Sequence, residues 1–131
     1  MLGLTLFVMM QFTPNAETCA DSGNLPQQHM NACAYWDFRQ ADGELNAVYE
    51  QVIDYARGNL SYMPDGDTRP SGEERIRRAQ RAWITLRDEH CEAWSYHMIG
   101  GSAEPLLFHG CRAQMTRERT EELRALMIED Q

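Results

Sequence analysis

The sequence contains no lysine. All twelve basic residues are arginines, set against twenty aspartates and glutamates, so the 131-residue chain carries a net charge of -8. Without basic clusters it has little to offer a phosphate backbone, which argues against nucleic acid as a partner. The same charge disfavours an anionic membrane surface and leaves a basic protein partner open. Long hydrophobic runs are missing too. The apolar stretch Leu2–Phe12 covers about eleven residues, where a bilayer span needs roughly twenty, so no stable membrane insertion is expected. No C-x-x-C or H-x-x-x-H pair occurs, and neither a metal site nor a cofactor is expected. Alternating apolar–polar runs, internal repeats and low-complexity segments are likewise absent, which excludes a β architecture.

What is present begins with that apolar stretch. It ends in Thr13-Pro14-Asn15-Ala16, a small-residue exit of the kind that closes a signal-peptide core. Residues 1–16 read as a signal peptide and 17–131 as a single mature domain, which is periplasmic or secreted. No positive charge precedes the run, and the competing reading is a buried N-terminal element. Ala16 stands where a lipoprotein pattern would place Leu before Cys19. Export makes the four cysteines, Cys19, Cys33, Cys91 and Cys111, readable as two disulfides.

Apolar periodicity organises the rest. Ala34, Phe38, Ala41, Leu45, Val48, Val52 and Tyr55 recur at alternating spacings of four and three, which predicts a helix from Gln27 to Asn59 with one narrow apolar seam. The glycine- and proline-rich stretch from Gly58 to Gly72 reads as an exposed loop. Ser71 is placed to cap a second helix, Gly72–Met98. Its seam is Ile76, Gln80, Trp83, Arg87, His90, Trp94 and His97, joined by Ala79, Leu86 and Cys91. Gly100-Gly101 ends it, and a third helical segment runs from Pro105 to Ile128, with Gly110 a possible interruption. The expected fold is all-α: a long antiparallel helical hairpin plus a third helical segment, stapled by two disulfides.

Antiparallel geometry sorts the cysteines. Cys91 precedes Gly101 by ten residues and Cys111 follows it by ten, so the two lie level, and Cys19–Cys33 follows by elimination. The alternative Cys33–Cys91 is less comfortable, being roughly 10 Å out of register along the axis. Each local bridge is worth roughly 3 kcal/mol in the chain-entropy model.

The second helix carries polar residues where its seam should be apolar. A hairpin centred on Asp65–Gly66 sets Arg87 opposite Glu44, flanked by Asp42 and Asn46, with Tyr49 on the same edge. A partly buried network of Asp42, Asn46, Tyr49, Gln80 and Arg87 is expected, fixing helix register rather than forming a ligand pocket. Asp42 is its carboxylate anchor. Arg119 is a second fork between helices. Trp94 is expected inside and Trp36 off the main seam, exposed or packed on the Cys19–Cys33 segment.

Five motifs in order resemble a known family. They are Met30-Asn31-x-Cys33-Ala34; Ala41-Asp42-x-x-Leu45-Asn46-x-x-Tyr49; Ala79-Gln80-Arg81-Ala82-Trp83-Ile84-x-x-Arg87-Asp88-x-x-Cys91; Gly100-Gly101-Ser102-x-x-Pro105-Leu106; and Cys111-x-x-x-Met115-Thr116-x-x-Arg119-Thr120-x-x-Leu123. Together, from Cys19 to Leu126, they are similar to the lysozyme inhibitor LprI-like family of exported bacterial proteins. Leu86 and Met115 depart from the aromatic and the leucine usual there. The resemblance implies a disulfide-stapled helical domain without a known cofactor, and one lipoprotein member of the family is described as inhibiting lysozyme.

Three function classes follow. A lysozyme inhibitor would occlude the glycan cleft, and an acidic chain would be steered to a basic lysozyme. Its candidate contacts are Tyr62, Asp65 and Asp67 in the loop, and Ser102 and Glu104 at the Gly100–Pro105 turn, where the bland reading is that Ser102 caps the third segment. An envelope accessory or structural binding module, without lysozyme inhibition, is the alternative. An enzyme is not expected. No serine sits in a nucleophile motif, His90 and His97 are roughly 10 Å apart along the helix, and Asp88-Glu89 reads as a solvated face.

Overall fold

Helix α1 spans Gln27–Asn59, α2 spans Gly72–Ser95 and α3 spans Glu104–Leu126, with short 3-10 turns at Ser22–Asn24 and Tyr96–Met98. These come from a computed structural model that describes residues 11–128 and holds no strand among them. Most of the signal-peptide reading, residues 1–10, lies outside the described residues.

The apolar seam of α1 builds the core. Phe38, Ala41, Leu45, Val48, Val52 and Ala56 are all buried, as alternating three- and four-residue spacing on a 3.6-residue helix requires. Ser71 accepts a hydrogen bond from the Glu74 N–H at 3.3 Å, and Glu73 and Glu74 sit in the first turn of α2, where negative charge opposes the positive helix end. The loop is closed at its base by the Gly72 N–H, which donates to the Leu60 carbonyl at 3.1 Å.

Helices α1 and α2 run antiparallel: Arg57 pairs with Glu73 at one end, and Arg87 lies beside Asp42 further along. Yet α3, not α2, is the main packing partner of α1. It runs parallel to α1 and antiparallel to α2, as the successive pairs Asp37–Arg117 and Glu44–Arg124, and the bridge Cys91–Cys111, establish. The reason is compositional. The buried face of α2 carries the large polar side chains Gln80 and Arg87 beside Ile76, Cys91 and Ser95, whereas the buried residues of α3 other than Leu123 are the small Ala113, Thr116 and Thr120, which allow a close approach to α1.

Both disulfides form as expected, Cys19–Cys33 with Cα atoms 5.6 Å apart and Cys91–Cys111 with 5.5 Å. The core is divided along its length. Leu45, Val48, Val52, Ile53, Ala56, Ile76 and Leu123 form one apolar cluster toward the loop end. The other half is polar and aromatic, with Arg87, Ser95, Thr116 and Thr120 buried.

Several local expectations are corrected. Helix α2 stops at Ser95 rather than Met98, and α3 passes through Gly110 without interruption. Trp94 is 50% exposed, and His90, His97, Ala79 and Leu86 are exposed as well. The buried line instead continues through Cys91 to Ser95, because the bridge to Cys111 fixes which face of α2 meets α3. Ser102 does not cap α3 with its side chain. Glu104 does the local work, its carboxylate accepting from the Gly100 N–H at 2.9 Å, while Gly100 takes the positive φ of 75° that the turn requires.

Candidate functional site

The polar seam forms where α1, α2 and α3 meet. Arg87 is 5% exposed. Its Nε donates to Asp88 at 2.9 Å and its terminal nitrogen to the Thr116 hydroxyl at 3.4 Å, while the Asp42 carboxylate is 3.9 Å away. Its guanidinium also lies 5.2 Å from the Phe38 ring centre and 5.0 Å from that of Trp83, within range of a cation–π attraction. The hydrogen-bonded carboxylate is therefore Asp88, and Asp42 is a more distant partner. Consecutive residues do not share a helix face, so the sequence assigned Asp88 to water. The flexible arginine stem folds back to reach it.

A second arginine joins this cluster. Arg112 from α3 lies 3.7 Å from the Phe38 ring centre and 4.9 Å from that of Phe108. Its Nε is 3.4 Å from Asp88, without the alignment of a hydrogen bond. The half-buried Asp88 so faces two guanidiniums. His109 packs against Tyr35 and Phe108, at 4.9 and 5.2 Å between ring centres. Burial, and then the neighbouring Arg112, hold its imidazole below the ordinary 6.5. Arg112 and His109 carry the signal of aromatic neighbours at Phe108 and Phe38, legible only once α3 is known to pack on α1.

The remaining members of the expected network are split. Gln80 is buried and accepts from Arg119 Nε at 3.1 Å, which makes Arg119 the fork between α2 and α3. Tyr49 packs half-buried against the apolar cluster. Asn46 is exposed. All five of Asp42, Asn46, Tyr49, Gln80 and Arg87 line one shallow hollow of about 200 Å³ between α1 and α2. Its arginines are engaged mainly with carboxylates outside it, Arg77 with Glu73, Arg81 with Glu74 and Arg87 with Asp88.

The expected contact residues also divide. Tyr62 is 83% exposed, and Asp65 is exposed beside it. Asp67 is committed inside the loop: both its oxygens accept from Arg69, at 2.6 to 3.0 Å, and this pairing holds its carboxyl below the usual range. The Ser102 carbonyl accepts from Asn31 at 2.8 Å, and Glu104 serves the Gly100 turn.

Two hollows lie along α3 at the end opposite the loop. The larger, about 530 Å³, has Trp94 and His90 on one wall and Leu107, Met115 and Glu118 on the other, with Cys111 between them. The smaller, about 300 Å³, is walled by Trp36, Met30 and the Cys19–Cys33 bridge. Trp36 therefore packs beside the first disulfide. Among the described residues, no group of three or more His, Cys, Asp or Glu side chains could hold a metal ion, and no helix is long and apolar enough to cross a membrane.

The chain is similar to proteins already known. It is 43% identical over 102 residues to an uncharacterised protein of Rhizobium meliloti (strain 1021), an alignment covering 77% of this chain and 73% of that protein. Its fold matches the crystal structure of a DUF1311 family protein from Pseudomonas putida KT2440, with a TM-score of 0.64 and 30% sequence identity, covering 79% of this chain and 95% of that one. The model of the family described as "Lysozyme inhibitor LprI" matches residues 19–123, which take in both disulfides, α1, α2 and all but the last three residues of α3. The chain belongs to the lysozyme inhibitor LprI family.

Proposed function

We propose that this protein is an exported binding domain that inhibits a lysozyme by covering its glycan cleft, acting by binding and not by catalysis. The observation that carries the reading, beside the family, is where the charge remains free. Among the described residues, most arginines are consumed in internal ion pairs. Glu50, Asp65, Glu89, Glu92, Glu104 and Glu118 have no arginine partner. The surface is thus left acidic, and acidic complementarity to a basic lysozyme accelerates encounter.

The loop around Tyr62 and Asp65 is one contact candidate, since a projecting phenol offers amphipathic contact area at low entropic cost. Export is supported by the two disulfides, which persist in oxidising compartments. Titration of the protein into chicken-type and goose-type lysozyme assays, at low and high salt, tests the reading. Stoichiometric inhibition that weakens with salt is the expected result, and unchanged activity of both enzymes would sink it.

A further inference from the structure

The two hollows on α3 share Leu106 and Gly110, so they adjoin along one stretch of α3 and are taken together as one trough. It runs from Trp36 beside the Cys19–Cys33 bridge, over Gly110, to Trp94 beside the Cys91–Cys111 bridge. Gly110 is the saddle. A Cβ there would meet nothing within 4 Å, so the position between the two halves is open. The α3 side is apolar, through Leu106, Leu107 and Met115, and each hollow has a tryptophan among its other lining residues. Beyond Trp94 the exposed apolar surface continues through Tyr96, Met98 and Ile99, where a monomer would ordinarily present polar groups.

The charge left without an ion-pair partner beside the trough is acidic. Glu118 lines the larger hollow, and Glu104, in the Gly100 turn, precedes it by fourteen residues, about 21 Å along α3 and close to four whole turns. Neither meets an arginine. Glu118 accepts only from the amide of Gln114, and Glu104 only from the Gly100 N–H. The cations along this stretch of α3 are already engaged: Arg112 stacks on Phe38 and Phe108 beside Asp88, Arg117 pairs with Asp37 at the rim of the smaller hollow, and Arg119 pairs with Glu122.

We propose that this trough is the principal docking surface for the basic protein partner, and that it takes a segment in which apolar side chains alternate with cationic ones. The apolar groups seat between the tryptophans and the cations meet Glu104 and Glu118. The inference rests on the reading of the protein as an inhibitor of a basic lysozyme. It places the main contact at the opposite end of the bundle from Tyr62. A buried aromatic pocket bordered by charge is where binding energy concentrates, and a two-residue loop tip is small beside the roughly 800 Å² per partner of a stable interface.

Gly110→Gln is the decisive variant. It fills the saddle with a neutral side chain at an open helical position, so circular dichroism and melting should match the wild type. Binding to chicken-type lysozyme, measured by calorimetry, should weaken at least about tenfold in Gly110→Gln and lose much of its salt dependence in Glu118→Gln, while Tyr62→Ala changes it by less than about threefold. Equal binding by Gly110→Gln and wild type would overturn the proposal. A short peptide of alternating arginine and leucine, followed by tryptophan fluorescence, probes the trough without lysozyme. A response in the wild type that Gly110→Gln abolishes supports the trough even if lysozyme does not bind, in which case the lysozyme reading alone falls. Silence toward both peptide and lysozyme overturns the trough.

Discussion

Arg87 shows how one residue organises its surroundings. A guanidinium at 5% exposure needs compensating charge and hydrogen bonds, because an unpaired buried charge costs several kcal/mol. Asp88, Thr116 and two aromatic rings supply it. Asp88→Ala should therefore destabilise the fold by about 1–3 kcal/mol, less than for a fully buried pair because the carboxylate is part-exposed to screening water. Asp42→Ala, which removes a contact at 3.9 Å, should cost less than about 1 kcal/mol. Urea melts of the two variants check the ranking. His109 gives a separate pH signature. Its folded pKa lies below the unfolded 6.5, so the unfolded chain binds the proton first as pH falls. Its contribution is complete above about pH 6.5 and is lost as pH drops through the folded value. Melting temperatures across pH 7 to 5 should decline in the wild type and decline less in His109→Leu. The carboxylates of Asp67, Glu73 and Glu74 are also held low by arginines, and they lose their pairs only in the more acid range below about 4.5.

At the scale of elements, the contact between Gly72 and Leu60 decides how α1 hands over to α2. A Cβ on residue 72 would sit 2.4 Å from the Leu60 Cβ and 2.8 Å from its carbonyl oxygen. Neither can rotate away, so the loop base would have to spread and its hydrogen bond lengthen. Gly72→Ala should cost about 1–3 kcal/mol, in the range of other overpacking changes, which thermal denaturation will register. The helices themselves were plain from the sequence. The spacing Phe38–Ala41–Leu45–Val48–Val52 fixes α1 to its observed bounds because every position is apolar and no competing period fits. Helix α2 was legible only in part. Its polar seam leaves the rotation undetermined beyond Arg87: the helical spacing points to His90 and Trp94, whereas the Cys91–Cys111 bridge turns Cys91 and Ser95 inward. The primary role of α3 as the partner of α1 was not legible, since its few buried residues, Ala113, Thr116, Thr120 and Leu123, are small or polar and give a weak pattern. For the same reason the trough over Gly110 is invisible in one dimension: it depends on Trp36 and Trp94 arriving from two different helices.

Across the whole molecule, the 33 residues of α1 make a rod about 50 Å long with unlike ends. Toward the loop, seven apolar residues from all three helices form one cluster. Toward the other end, where Trp36 and Trp94 flank the trough, the interior is arginine, threonine and aromatic rings, and both disulfides are concentrated there. Reduction should therefore act unevenly. Hydrogen exchange in the presence of a thiol reductant should show protection lost first around Cys33, Cys91 and Cys111, while Leu45–Ala56 and Leu123 stay protected. Uniform loss along α1 would contradict a divided core. The division also bears on when the protein becomes competent. If reduction acts unevenly in this way, a chain whose cysteines are still thiols would assemble the half that carries the Tyr62 loop ahead of the half that shapes the trough. Binding competence would then be acquired only where thiols are oxidised, so that the covalent bridges act as a maturation step as well as a brace.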